Sequence, residues 1–292
     1  MKDVCAVVVT YNRKELLQEC LEALLAQSCK VNKILVVDNA STDGTPEFVK
    51  SFFPEVHLLQ LTSNIGGAGG FHEGIKWAYE RGYDWIWVLD DDTITLNDTL
   101  EQLFKAYNEF PIEKKPHLLA SKVIWSDNNL HPMNLPIINK SDFETIFLAA
   151  SFSCVSLRAS SFVSLLLHRK VIEQNGLPLK EYFIWNDDLE YTSRILKNGF
   201  GVLNPKSIVI HKTKSKYTPV ESSGNRYYYE VRNKLWLLKT DSLFKKEKVK
   251  IFLSMLLNIF KYLKYNNYKF SSWVTILKGI KDGLFKYKKL VN

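Results

Sequence analysis

The chain is short of several things. No stretch reaches eighteen uninterrupted apolar residues, so the reading excludes a helix that spans a bilayer. The opening Met1-Lys2-Asp3-Val4-Cys5 runs straight into a strand and lacks the regions and cleavage site of a signal peptide. Four cysteines occur, Cys5, Cys20, Cys29 and Cys154, with no CxxC spacing. That excludes a cysteine metal site and predicts free thiols in a reducing cytoplasm. Two nucleotide signatures are also missing: the GxGxxG dinucleotide fingerprint and the Gly-Lys-Ser/Thr of a Walker loop.

What is present is a large apolar inventory. The 292 residues suffice for one large α/β domain or two ordinary ones, and 46% hydrophobic with 13% aromatic content supports a substantial core. The net charge of +8 is unevenly placed. Residues 241–292 hold twelve lysines and three acids, a balance of +9, so residues 1–240 sum to −1. A near-neutral body with a basic tail points to a negatively charged partner for the tail.

The first ninety residues or so repeat strand then helix. Val4 to Thr10 is a continuous apolar run of the kind a parallel sheet buries on both faces. Asn12 with Glu15 reads as a capping box, and Leu16, Leu17, Cys20, Leu21, Leu24 and Leu25 form one helical stripe. A strand from Ile34 to Val37 ends at Asp38, and Thr45-Pro46 opens the next helix. A strand from Val56 to Leu61 precedes Asn64-Ile65-Gly66-Gly67-Ala68-Gly69-Gly70 and a helix to about Arg81. The fourth strand, Trp85 to Leu89, runs into Asp90-Asp91-Asp92. Such repeats imply right-handed crossovers and a parallel sheet, with ligands beyond the C-terminal strand ends. That edge gathers Thr10-Tyr11-Asn12-Arg13, Asp38-Asn39, the glycine-rich segment and the acid triplet.

Three adjacent acids repel one another unless they are solvated or a cation neutralises them. At the end of a buried strand they suit Mg²⁺ or Mn²⁺ with bound phosphates. A solvated turn or a helix cap is the other reading. The glycine segment also has two readings: a tight turn with close helix–strand packing, or close backbone approach to a nucleotide.

In the second half, Leu96 to Phe110 reads as a helix and Leu118 to Trp125 as a strand. Asn128 to Ser141 reads as a mobile surface segment near the site, and Phe152 to Val155 as a short strand. Ser161 to Leu167 is a strand, and Arg169 to Asn175 a short helix ending at Gly176. Asp187-Asp188 follow Trp185 and open a helix that continues through the Glu190–Arg194 pair to Gly199. One acid satisfies a cap, and two exceed that need. Val202-Leu203 and Ser207 to Ile210 are extended, and His211 directly after them is a candidate third metal ligand. Ser222 to Leu238 reads as helical. The tail beyond alternates lysines with apolar and aromatic groups. It fits amphipathic helices on an anionic bilayer, with a helical cap packed on the body as the other reading. So much aliphatic surface disfavours nucleic acid as its partner.

Taken in order, Val9-Thr10-Tyr11-Asn12-Arg13, Val37-Asp38-Asn39-Ala40-Ser41-Thr42-Asp43-Gly44-Thr45, Asn64-x-Gly66-Gly67-Ala68-Gly69-Gly70-Phe71, Asp90-Asp91-Asp92, Trp185-Asn186-Asp187-Asp188-x-Glu190-Tyr191 and His211 resemble the family 2 glycosyltransferases of GT-A fold. The glycine, triplet and Trp…Asp-Asp forms are most similar to bacterial galactofuranosyltransferases, with rhamnosyltransferases next. Asn186 stands where many relatives have Gly or another small residue, and His211 is followed by Lys212-Thr213 without a nearby Trp.

The resemblance implies an α/β, Rossmann-like GT-A fold with a mostly parallel sheet flanked by helices and a C-terminal basic helical extension. Residues 1–92 would form a nucleotide-binding half, 93–240 an acceptor half and 241–292 the tail. It implies an inverting transferase that moves galactofuranose from UDP-galactofuranose, or rhamnose from dTDP-rhamnose, to a hydroxyl of a lipid-linked or cell-surface glycan. In that scheme Asp90, Asp92 and His211 hold Mn²⁺ or Mg²⁺. Asp91 faces the donor's sugar or ribose. Thr10, Tyr11, Asn12, Arg13, Asp38, Asn39, Asn64, Gly66, Gly67, Gly69 and Gly70 hold the rest of the donor. Asp188 is the base, Asp187 places the acceptor hydroxyl and Trp185 stacks on an acceptor sugar. The tail would hold the protein on the inner face of the cell membrane. A nucleotidyltransferase would carry a basic glycine-rich loop where this chain has Thr10-Tyr11-Asn12-Arg13. The intact Asp188 and Asp90–Asp92 count against a non-catalytic sugar-nucleotide-binding protein.

Overall fold

The computed structural model describes residues 3–214, 220 and 223–287. The readings made for Ser222 and for residues 288–292 lie outside the described residues. The strand–helix repeats form β1 (Val4–Thr10), α1 (Lys14–Leu25), β2 (Lys33–Asp38), α2 (Thr45–Phe52), β3 (His57–Gln60), α3 (Gly66–Glu80) and β4 (Trp85–Asp90). There follow β5 (Thr93–Thr95), α4 (Thr99–Glu109), β6 (Leu118–Ile124), β7 (Ile137–Ile138), α5 (Phe143–Ser151), β8 (Val155–Ala159) and β9 (Ser164–His168). Then come α6 (Lys170–Asn175), α7 (Asp187–Ile195), β10 (Gly201–His211), α8 (Tyr227–Leu237), α9 (Lys245–Tyr265) and α10 (Phe270–Phe285).

One sheet runs in the order β3-β2-β1-β4-β9-β6-β10-β8-β7, with β5 paired to β10. β1 to β4 pair in parallel, and β6 pairs in parallel with β10. β9, β8 and β5 run against the others. The register sets Val9 opposite Asp90, Thr10 opposite Asp38, and Thr93 opposite His211. Those pairs bring Thr10, Asp38, Asp90 and His211 to one end of the sheet.

β1 is buried along its whole length because both of its faces are covered. Val4, Ala6 and Val8 pack with α1 and α4, alongside Trp85 and Trp87. Cys5, Val7 and Val9 pack with α3, α6 and α7. Trp87 is fully buried, and its indole N–H donates to Ser164 Oγ at 3.0 Å. All four cysteines are free.

Several local expectations give way to tertiary geometry. Asn12 does not cap α1; the cap position is Arg13, without a side-chain bond. Asn12 adopts φ 53 and its Oδ1 accepts from Thr42 N at 2.7 Å, tying the loop after β1 to the loop after β2. The glycines are not a loop before α3 but its first turns. A Cβ on Gly66 would overlap Phe183, and one on Gly70 would overlap Val9 of β1, so α3 lies close on Phe183 and on β1 because these residues have no side chain.

Phe152 to Val155 is not a strand: Phe152 ends α5, and β8 starts at Val155. Asp142 caps α5 by accepting from Thr145 N at 3.2 Å. Phe143 and Phe147 are exposed there, which blurs the apolar period. α7 ends at Ile195 instead of Gly199. β10 is one strand with a bulge between Asn204 and Ile208, where Pro205 cannot donate to the ladder. The segment 128–141 holds a 3₁₀ turn at Pro132–Asn134 and β7.

α9 and α10 pack on α8. The Tyr227 and Tyr262 rings stack 3.9 Å apart, and Tyr228 OH donates to Asp282 Oδ2 at 2.6 Å. Val231, Tyr262, Leu263 and Ile276 form a small core there. Arg158 of β8 pairs with Glu247 of α9 at 2.8 Å. No described helix is long and apolar enough to cross a membrane.

Candidate active site

β4 delivers Asp90 to the sheet edge, and the turn into β5 carries Asp91 and Asp92. β5 pairs with the end of β10, which carries His211 back beside them. His211 Nε2 lies 2.9 Å from Asp92 Oδ1 and 3.8 Å from Asp90 Oδ2. One ligand atom from each of Asp90, Asp92 and His211 lies within 4.8 Å of the others. His211 Nδ1 is 2.8 Å from Asn134 Oδ1, a contact that fixes the proton on Nδ1 and turns the Nε2 lone pair toward the acids. Asp92 Oδ1 is then a buried acceptor without a hydrogen-bond donor. Two opposed acceptors are satisfied by a proton or by a cation. Oxygen and imidazole donors suit Mn²⁺ or Mg²⁺, so the residues fit the divalent ion.

Arg13 supplies the countercharge within the chain. Its Nη1 donates to Asp92 Oδ2 at 2.7 Å and to Asp91 Oδ1 at 3.2 Å. Thr10 Oγ1 donates to Asp91 Oδ2 at 2.8 Å. Burial pushes Asp90 up to about 6, helped by the charge of Asp92. Burial likewise pushes Asp91 up to about 7, against the pull of Arg13. Burial also raises Asp92, but once a proton occupies His211 Nε2 the hydrogen bond and charge of that imidazolium outweigh burial and hold the carboxyl below its usual range. His211 is raised in turn: burial lowers it, and Asp92 more than compensates.

The second acid pair opens α7. Phe183, Trp185 and Asn186 have φ of 65, 64 and 68, so the approach to α7 is a left-handed bend. Asn186 tolerates that conformation better than most side chains. α8 holds the bend from behind. Asn233 is fully buried, and its Nδ2 donates to Tyr182, Ile184 and Trp185 carbonyls at 2.8–3.0 Å. Asp188 Oδ1 accepts from Leu189 N at 2.7 Å, and burial still pushes Asp188 up to about 6. Burial and the neighbouring Asp188 charge raise Asp187 further.

Both acid groups line one cavity of about 990 Å³. Arg13, Gly67, Asp90, Asp91, Asp92, Trp185, Asp187, Asp188 and His211 all face it. The remaining predicted donor residues are outside its lining. Asp38 accepts from Ser41 N, Asn39 bridges Gly66 O and Ile65 N, and Asn64 accepts from Gly66 N. Gly66, Gly69 and Gly70 meet protein neighbours, whereas Gly67 is open. Tyr11 is exposed. Ser41 and Thr42 line a smaller cleft with Gln60, Leu61 and Thr62.

Sequence reasoning missed Asn134, Asn233, and the contributions of Lys234, Ser254, Asn258 and Lys261 to the cavity wall. The spacing of Ser254, Asn258, Lys261 and Tyr265 was a readable helical stripe.

Residues 5–112 match the family described as Glycosyl transferase family 2. The chain is 29% identical over 201 residues to galactofuranosyltransferase GlfT1 of Mycolicibacterium smegmatis, covering 67% of this chain and 66% of that protein, just under two thirds. It is 28% identical over 251 residues to the dTDP-rhamnosyl transferase RfbF of Shigella flexneri, covering 81% and 80%. The fold is that of S. aureus TarS residues 1–349, solved in complex with UDP: TM-score 0.63 at 17% identity, covering 97% of this chain and 81% of that one. It is also that of a Pyrobaculum calidifontis mannosyltransferase solved with GDP-Man and Mn²⁺: TM-score 0.59 at 15% identity, covering 98% and 88%.

Proposed function

We propose that this chain, whose residues 5–112 match glycosyl transferase family 2, transfers a sugar, with inversion, from a nucleoside diphosphate to a hydroxyl of a lipid-linked or cell-surface glycan. The observation that carries the reading is two separate carboxylate groups, Asp90–Asp92 with His211 and Asp187–Asp188, facing one cavity. Asp90, Asp92 and His211 would hold a divalent ion, which would supply positive charge for the leaving diphosphate. Arg13 lies against the same acids and offers a second cation there. Residues 1–92 hold the nucleotide in this reading and 93–240 the acceptor.

Asp188 takes the proton of the acceptor hydroxyl as its oxygen bonds to the anomeric carbon. The bond from that carbon to the diphosphate oxygen breaks in the same displacement, and the nucleoside diphosphate leaves with the electron pair. Asp187 orients the hydroxyl and Trp185 offers an apolar face to a sugar ring. The likeness to a galactofuranosyltransferase favours UDP-galactofuranose, and the longer match to a rhamnosyltransferase keeps dTDP-rhamnose second. A screen of both donors with common UDP-hexoses should give the greatest release of nucleoside diphosphate with UDP-galactofuranose. No release from any donor would overturn the reading, and pyrophosphate instead would indicate nucleotidyl transfer.

The packed helices α9 and α10 also present a lipid surface in this reading. Leu257 and Leu277 are 63% and 61% exposed, alongside Phe252, Leu253, Phe260, Phe270 and Trp273. Lysines border them, as in helices that lie on anionic membranes. Removing the tail would also remove cavity wall, so surface substitutions are the cleaner test. Leu257→Asp with Leu277→Asp should lower co-sedimentation with phosphatidylglycerol vesicles by at least ~10-fold, since each buried leucine is worth roughly 1.5–3 kcal/mol. The melting temperature should hold. Unchanged sedimentation would leave α9 and α10 as a structural cap alone.

A further inference from the structure

α8 carries an ion pair that the mechanism does not use. Glu230 and Lys234 stand one turn apart in the order that favours pairing, and Lys234 Nζ lies 2.6 Å from Glu230 Oε1. Their side chains are only 7% and 12% exposed, yet both residues line the cavity that holds Asp188. Glu230 Oε2 accepts from Asn186 Nδ2 at 3.0 Å, which ties the pair to the bend two residues before the base. A small residue in place of Asn186 would leave that oxygen without this donor.

A pair that only braced α8 against the bend would be a poor choice. Burying two charges costs more than their attraction supplies unless the remaining donors are satisfied, and apolar residues of similar volume often hold as well or better. The brace is also present elsewhere. Arg232 Nη2 donates to the Glu181 and Tyr182 carbonyls at 2.9 and 2.7 Å, and Asn233 holds those of Tyr182, Ile184 and Trp185. An ammonium has three donors. Among the described residues Lys234 uses one, on Glu230, and the others are left at the cavity wall. Glu230 already cancels the charge of Lys234, and Asp90–Asp92, Asp187 and Asp188 line the same cavity. An anion is repelled there, whereas a neutral oxygen is not. A sugar hydroxyl is such an acceptor.

We propose that Lys234, held by Glu230, donates to a hydroxyl of the acceptor sugar beside the one that Asp188 deprotonates, and so selects which sugar can react. The proposal rests on the transferase reading above and adds a residue that sets acceptor specificity. The pair goes with the acceptor because its partner Asn186 lies in the bend that carries Trp185 and leads into Asp187, apart in the chain from the metal ligands. A buried donor built to meet a hydroxyl discriminates against a sugar that lacks it, since the donor is then left unmet.

The test is nuclear magnetic resonance titration of the full chain, saturated with UDP and Mg²⁺. The probes are the methyl glycosides of galactose, glucose, mannose and rhamnose, the monodeoxy analogues of whichever binds most tightly, and methyl galacturonide. The wild type should bind one monodeoxy analogue at least ~10-fold more weakly than its parent, the size of a hydrogen bond to a charged group. Lys234→Met should lose that factor for the parent and no longer distinguish it from that analogue, the non-additivity of two groups in contact. Glu230→Gln with Lys234→Met keeps an acceptor for Asn186 and repeats the comparison without an unpaired buried carboxylate. An equal loss for the parent and every analogue would make the pair a brace and overturn the proposal. Undiminished binding in both variants, or a wild type that binds UDP and no glycoside, would overturn it too. Methyl galacturonide bound more tightly than methyl galactoside would overturn the neutral class. The affinity of UDP-galactofuranose relative to UDP should not change in the variants, and a loss there would put the contact on the donor and overturn the acceptor assignment. Absence of UDP binding from the wild type would instead overturn the transferase reading, and this assignment with it.

Discussion

Asp188→Asn is expected to lower turnover by about 10³-fold and to leave donor affinity unchanged, because a general base typically contributes 10²–10⁴-fold. The substitution keeps the shape of the side chain and an Oδ1 acceptor for Leu189 N. It removes only the capacity to take a proton. Stability should not suffer, since the carboxylate is buried and its charged form is disfavoured. The wild-type rate should carry the mark of this residue. Burial pushes Asp188 up to about 6, and a base works deprotonated, so the rate should rise with pH and level off above about 6. Below that pH it should fall about tenfold per unit. The measurement is turnover against pH for both proteins. An Asn variant with wild-type turnover would remove Asp188 from the base role.

The metal end makes the second large prediction. Asp90 and Asp91 have folded-state pKa values near 6 and 7, above the ordinary 3.8. The folded protein therefore holds protons that the unfolded chain has released. Stability of the metal-free protein should fall as pH rises from about 4 to about 7, because unfolding is favoured wherever the native state binds more protons. A divalent ion held by Asp90, Asp92 and His211 would displace the proton on Asp90. Mn²⁺ at a hundred times its dissociation constant stabilises by about 2.7 kcal/mol, a rise of about 5 °C in melting temperature. That rise should be present at pH 8 and nearly absent at pH 5, where protons compete for the ligands. Asp92→Ala should abolish it at both. Thermal melts with Mn²⁺ and with EDTA decide the point, and an equal rise in Asp92→Ala would place the ion elsewhere.

The first ninety residues or so were legible because their signals are local. A run such as Val4–Thr10 has no polar face to misread, and the acids sit where a parallel sheet ends. The acid groups and His211 could be singled out from type and position alone. Their partners could not. Asn134 reaches His211 across 77 residues, and Asn233 reaches Trp185 across 48, with no pattern linking either pair. The glycines of α3 show the same limit. Backbone freedom was legible there, but Phe183, which lies against Gly66, is supplied by a bend more than a hundred residues away. Asn12 was misread because its side chain had two local uses, and the loop after β2 claimed it. The tail's two readings were not exclusive. α10 buries Ile276 and Gly279 against α8 while Leu277 stays out.

The central claim is a division of labour between two acid groups in one cavity. UDP affinity with Mn²⁺, measured side by side in Asp92→Ala and Asp188→Asn, tests it most directly. Asp92→Ala should weaken UDP by at least ~100-fold, since even an outer partner of a metal ligand is typically worth 10–100-fold. Asp188→Asn should bind UDP as the wild type does. Equal affinity in both variants, or a loss confined to Asp188→Asn, would contradict the account.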